Sequence, residues 1–187
     1  EYIPGDDHRD VHWRSTAHLG TLMVRQFEDT RRAHLLVIFD TRASSWASEN
    51  EFETGVSVAA SLALATIRDS KETSVITTDG LLHTPTATQL LDRFTELTTA
   101  TEQLPLHALA ASATEQIPGA SVVILVTGST LTIKDLQLAW LPIPVDMMTI
   151  AIRCAENARP ARKKIRGFNI LTVGELADLS LAMRRIL

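Results

Sequence analysis

The spacing of apolar residues changes period several times along the chain. From Thr21, the residues Leu22, Val24 and Gln26 alternate with Met23, Arg25 and Phe27, the two-residue period of a strand with unlike faces. His34 to Phe39 is a continuous apolar run closed by Asp40, as expected of a strand buried on both faces. Phe52, Val56, Ala59, Ala60, Ala63 and Ile67 then recur at helical spacing, and the helix is expected to end near Asp69-Ser70. Thr73 to Thr78 has strand character, followed by a turn at Asp79-Gly80. Residues 86 to 116 predict a helix in two pieces broken near Pro105. Ser121 to Thr127 is a further apolar strand stopped by Gly128, and a helical turn follows from Ile133 to Trp140. Val145 to Ile152 predicts a strand, Asn157 to Arg166 a basic polar connector, Phe168 to Val173 a last strand, and Gly174 the start of a helix to about Arg185.

Strands alternating with helices predict an α/β fold with a mainly parallel, doubly wound sheet covered on both faces. Residues 1 to 20 carry no such period. Pro4-Gly5-Asp6 is a turn signal, and Asp7 with Asp10 is placed to cap a short helix over His8 to Trp13. One domain with an N-terminal extension accounts for the whole pattern.

Composition narrows the function. The 187 residues are 45 % hydrophobic but only 5 % aromatic, and carry a net charge of −4. That balance argues against disorder and against a surface that stacks or steers nucleic acid. Cys154 is the only cysteine, so an internal disulfide and a multi-cysteine metal site are excluded. The longest mostly apolar run, Gly55 to Ile67, is interrupted by Ser57, Ser61 and Thr66, too short and too polar for a membrane span of about 20 residues. The chain starts at Glu1 inside what reads as a motif, so the expectation is a piece of a longer protein.

In an open parallel sheet, function gathers beyond the carboxyl ends of the strands. The first buried strand ends at Asp40-Thr41-Arg42-Ala43-Ser44-Ser45. A carboxylate followed by hydroxyl side chains has the oxygen donors a divalent cation needs. Arg42, however, brings a positive charge and no acceptor atom, so an Asp40–Arg42 ion pair or a hydrogen-bonded turn competes with a metal there. Asp6, Asp7, His8, Asp10 and His12 offer oxygen and imidazole ligands within seven residues, but at no established ligand spacing; a polar loop with a helix cap is the plainer reading. No Walker A, Gly-x-Gly-x-x-Gly or Gly-x-Ser-x-Gly sequence is present. Cys154, near Arg153 and Glu156, reads as a packing residue rather than a nucleophile. Arg159, Arg162, Lys163, Lys164 and Arg166 read as a solvated connector, and Trp46 and Trp140 as packing residues or, if exposed, partner anchors.

Glu1-Tyr-Ile-Pro-Gly-Asp-Asp-His-Arg-Asp-Val-His-Trp13, then Ser15-Thr-Ala17, then Leu22-Met-Val-Arg-Gln-Phe-Glu28 resembles the signature of the bacterial domain of unknown function 58 family. Gly5, Asp6, Arg9, Trp13, Ala17, Arg25 and Glu28 fall on signature positions, and His18 stands where the signature has arginine. The resemblance implies a signature extension over residues 1–30 and a von Willebrand factor A-like domain over 31–187. It places Asp40 and Ser44 on the first and last positions of an Asp-x-Ser-x-Ser adhesion-type metal motif, with Arg42 in place of the middle serine and Gly128 where a second aspartate is expected. It also implies a bacterial protein anchored in the membrane by helices upstream of Glu1, with this domain in the cytoplasm and a MoxR-type AAA+ ATPase as partner in chaperone-like assembly. The reading that follows is a non-catalytic interaction domain without cofactor, metal or nucleic acid, presenting Asp40, Arg42, Ser44 and Ser45 to a protein. The alternative is a metal-dependent hydrolase built on Asp7, His8, Asp10 or His12.

Overall fold

The computed structural model describes residues 33–82, 86–101, 104–165 and 167–184. The signature segment, its expected helix over His8–Trp13 and the strand expected from Thr21 lie outside the described residues. So do Arg166 and Arg185.

Among the described residues seven strands form one sheet: β1 (His34–Phe39), β2 (Glu72–Thr77), β3 (Gly80–Leu82), β4 (Val122–Thr127), β5 (Met148–Cys154), β6 (Ala161–Ile165) and β7 (Phe168–Val173). Their order is β3-β2-β1-β4-β5-β7-β6. The five inner strands run parallel, and the two rim strands run antiparallel to their neighbours. The helices are α1 (Glu49–Arg68), α2 (Ala87–Thr95), α3 (Leu106–Gln116), α4 (Ile133–Trp140) and α5 (Leu176–Met183).

The strand period divides the core in two. Leu35, Val37 and Phe39 face α1, α2 and α5, packing with Phe52, Val58, Ala59, Ala63, Leu90, Phe94 and Leu179. Leu36 and Ile38 face α3 and α4, packing with Leu106, Leu109, Ala113, Leu136 and Ala139. A strand with helices on both sides must be apolar at every position, which is why His34 to Phe39 shows no alternation in sequence. The doubly wound α/β architecture expected from the pattern is therefore the one observed.

Helix starts follow local chemistry. The Ser48 hydroxyl accepts from the Glu51 N–H at 3.2 Å, and Thr86 accepts from the Gln89 N–H at 3.3 Å. Thr132 and Asp135 cap α4 reciprocally. Pro105 occupies the N-cap of α3, so the break near it is real. Among the described residues no helix is long and apolar enough to cross a membrane.

The strand expected from Val145 to Ile152 instead runs over Met148–Cys154, with Val145 exposed in the turn before it, and two further expectations change at the rims. Gly80–Leu82 continues past the turn as a short strand on β2. The connector expected over Asn157–Arg166 contains β6, whose Ala161, Arg162, Lys163 and Lys164 are all exposed. A rim strand needs a neighbour for its hydrogen bonds but no apolar face, so it leaves no hydrophobic period to read.

Phe39 is the hub of the aromatic packing, with ring centroids 5.6 Å from Trp46, 5.6 Å from Phe52 and 6.5 Å from Phe94. Phe39→Ala is expected to lower the unfolding free energy by about 3–5 kcal/mol. Leu81→Ala, on the exposed rim strand β3, should change it by no more than about 0.5 kcal/mol. Urea denaturation of both variants checks the contrast.

Candidate functional site

The chain leaves β1 toward β2 and later returns to lay β4 on the other side of β1. The crevice beyond the carboxyl ends of β1 and β4 is thus the topological switch point of the sheet, where such folds place their sites. Asp40 follows β1 directly, and Thr127 ends β4.

The Asp40 carboxylate is fully buried and accepts five hydrogen bonds. Oδ1 receives the Arg42 backbone N–H at 3.1 Å and the Arg42 Nε–H at 3.0 Å. Oδ2 receives Arg42 Nη2 at 2.8 Å, the Ser45 hydroxyl at 2.7 Å and the Thr127 hydroxyl at 3.0 Å. The guanidinium closes back on the carboxylate two residues before it as a two-pronged fork. Its positive charge and donors stand where a cation bound to Asp40 would have to sit. The ion pair is therefore formed, and both lone-pair regions of each carboxylate oxygen are in use.

The resemblance assigned Ser44 to the last motif position, but Ser45 is the serine that reaches Asp40. A 3-10 turn over Ala43–Ser45 turns the Ser45 side chain inward and leaves Ser44 exposed, its carbonyl accepting from the Thr130 hydroxyl at 2.7 Å. Asp40 and Ser45 are buried and shape the surface from beneath. Arg42, with 15 % of its side chain exposed, and Ser44 are the members that reach solvent. Thr41 is also buried, and its hydroxyl is hydrogen-bonded to that of Thr78.

Trp46 holds the turn against the sheet. Its indole N–H donates to the Asp40 carbonyl at 2.9 Å, and its ring lies against two glycines. A Cβ at Gly55 would stand 2.7 Å from Trp46 Cζ3, and one at Gly128 would stand 2.8 Å from Trp46 Cα. No side chain fits at either position without displacing that turn. This gives a packing reason for glycine at 128, where an adhesion-type site would have a carboxylate. Trp140 stacks on Phe168 with centroids 5.3 Å apart. Trp140 is thus a packing residue, and Trp46 packs the turn with a narrow edge, 7 % of the residue, left at the surface.

Glu51 is a site residue that the sequence reading missed. It is buried and its carboxylate accepts three backbone N–H groups: Ala47 at 3.0 Å, Ser129 at 3.2 Å and Glu156 at 3.1 Å. These belong to the loops after β1, β4 and β5, so one side chain joins three neighbouring strand ends. The signal was the Ser48-x-x-Glu51 spacing of a capping box. Only the serine half of that box forms, because the glutamate is spent on other loops. Burial pushes the Glu51 carboxyl up, but hydrogen bonds from Ala47, Ser129 and Glu156 outweigh it and hold it below its ordinary value of 4.5. Arg153 adds a further tie, its guanidinium donating to the Ser129 carbonyl.

Cys154 is fully buried. Burial and then the Glu51 charge push its thiol up to about 12, which leaves no thiolate near neutral pH to act as a nucleophile. Among the described residues no group of three or more His, Cys, Asp or Glu side chains is placed to hold a metal. Asp6, Asp7, His8, Asp10 and His12, together with the signature residues Gly5, Arg9, Trp13, Ala17, Arg25 and Glu28, lie outside the described residues.

Two predictions follow from this geometry. Arg42→Ala leaves a buried carboxylate without its counter-charge and should cost about 3–5 kcal/mol, whereas magnesium or manganese should not raise the melting temperature of the unsubstituted chain; a saturable rise would mean that a cation binds the native state. A carboxyl held low in the folded chain stabilises it above the unfolded-state value and loses that contribution as pH falls through the folded-state value. Glu51→Gln should therefore cost about 1–3 kcal/mol near neutral pH, with the gap to the unsubstituted chain narrowing below pH 4.5. Denaturant titrations across that range measure it.

The comparisons bear on fold and family. A von Willebrand factor type A structure from Catenulispora acidiphila superposes with a TM-score of 0.51 at 13 % identity, covering 89 % of this chain and 43 % of that one. The likeness shows the fold, and this chain spans less than half the length of that protein. Among curated proteins, none matches. The family model described as "Protein of unknown function DUF58" matches residues 1–115, well over half of the chain, and the chain accordingly belongs to that family.

Proposed function

We propose that this chain is a non-catalytic protein-interaction domain whose docking face is the loop layer beyond β1 and β4. The observation that carries the reading is the saturation of Asp40 by donors of its own chain, above all the Arg42 fork. A carboxylate used in this way is committed to holding loops, and is not offered to a substrate or an exchangeable ion. The layer is rigid: Asp40, Trp46 and Glu51 tie the loops after β1, β4 and β5 to one another. Recognition loops fixed on a stiff sheet suit protein docking. The von Willebrand factor A-like fold is compatible with that role, though a fold alone does not assign it.

The family resemblance supplies the partner in this proposal, a MoxR-type AAA+ ATPase. It likewise supplies the setting: a bacterial protein anchored in the membrane upstream of Glu1, with this domain on the cytoplasmic side, acting in chaperone-like assembly or maturation.

The test is direct binding of the chain to the MoxR-type ATPase of its own organism by interferometry. Ser44→Arg adds a bulky charge to the exposed part of the turn and should weaken binding at least about tenfold, or about 1.4 kcal/mol. Lys71→Glu, just before β2 at the opposite end of the sheet, should leave it unchanged. No binding by the unsubstituted chain, or equal binding by both variants, would overturn the proposal.

A further inference from the structure

A groove of about 420 Å3 opens beside the Arg42 turn, between the first turns of α1 and the segment after α2. That size lies in the usual range for binding clefts, about 300–1,000 Å3. Trp46 and Phe52, with centroids 5.4 Å apart, reach its floor only by their edges, 7 % and 4 % exposed, and half-buried Leu97 lies beside them. Its two ionisable lining residues are Glu49 and Glu53, both exposed.

The fold accounts for one of these glutamates and not for the other. Glu49 is the first residue of α1, where the helix dipole favours a negative charge. Glu53 lies one turn further on, on the same face, and like charges at that spacing repel. Neither has an ion-pair or hydrogen-bond partner among the described residues. Among the described residues the groove therefore combines two uncompensated negative charges with the edges of two aromatic rings and Leu97.

We infer that this groove seats an arginine side chain presented by a basic segment of the protein partner. The inference rests on the reading of this end of the sheet as the docking face, and names the chemistry of what docks. An arginine has a methylene stem that covers apolar surface. Its planar head pairs with two carboxylates and lies favourably against aromatic rings. A bare divalent cation would gain nothing from Trp46, Phe52 and Leu97. The receptor is also preformed. Ala100 donates to the Thr41 carbonyl at 3.0 Å and accepts from the Ala43 N–H at 2.9 Å, which fixes the far wall to the Arg42 turn. The near wall is fixed by the Ser48 cap and by the Ser48 hydroxyl donating to Glu156 at 2.8 Å. Little ordering is left to oppose binding.

The probe is an acetylated, amidated tri-arginine peptide titrated into the isotope-labelled chain at low salt, with tri-glutamate as control. Saturable amide shifts confined to residues 43–53 and 97–99 are expected with tri-arginine and not with tri-glutamate. The double variant Glu49→Gln, Glu53→Gln keeps shape and helix, and should weaken binding at least tenfold while shifting the melting temperature by no more than about 3 °C. Shifts spread over other acidic surface such as Glu175 and Asp178, or undiminished in the double variant, would overturn the inference. So would the same groove shifts growing with protein concentration alone, which would assign the groove to a second copy of the chain. Failure here is separable from failure of the docking face: if the double variant binds the ATPase normally while Ser44→Arg does not, the face stands and the arginine seat falls.

Discussion

A carboxylate with no solvent exposure at the end of the central strand must be neutralised where it stands. Asp40 meets that constraint with Arg42, only two residues away, and the rest of the loop layer is arranged around the result. For the guanidinium to fold back, the chain must turn sharply after β1, and the 3-10 turn over Ala43–Ser45 does this. The turn in turn brings Ser45 to the second carboxylate oxygen and drops Trp46 between Gly55 and Gly128. The requirement for glycine at 128 is thus a consequence of how the Asp40 charge is balanced. It removes the position from which another strand end would contribute a carboxylate of its own.

Glu51 solves a related problem for the neighbouring loops. The ends of β1, β4 and β5 expose backbone N–H groups that no strand satisfies, and three of them converge on one carboxylate. Asp40 and Glu51 together place two negative charges under the loop layer, each fully engaged by donors. The surface above them is consequently set by the residues left over: the edge of Arg42, Ser44, and the glutamates of the first turns of α1.

Much of the fold was legible because buried strands and amphipathic helices leave a period. The inner strands, the long helix and the break at Pro105 could all be read from residue type and spacing. The Asp40–Arg42 contact was legible too, since its partners are nearly adjacent. What escaped were features whose cause lies elsewhere in the chain. Glu51 reads as an ordinary first-turn acid until the loops carrying Ser129 and Glu156 are brought to it. The exchange of Ser44 for Ser45 depends on the rotation of a single turn, which no spacing rule resolves. Strand β6 has no buried face and so carries no hydrophobic signal at all. A groove formed by Glu49, Glu53 and residues 97–99 joins segments that give no hint of one another in sequence.

The two rims of the sheet bear on how copies of this chain meet. At one, β3 pairs antiparallel with β2 over Gly80–Leu82. At the other, Arg162, Lys163 and Lys164 line the open edge of β6, and a second copy arriving in the same way would bring the same three cations against them. Among the described residues, growth of the sheet from molecule to molecule is thus discouraged at the β6 margin. Crowding many copies together, as on a shared surface, then works against a ribbon fused through β6.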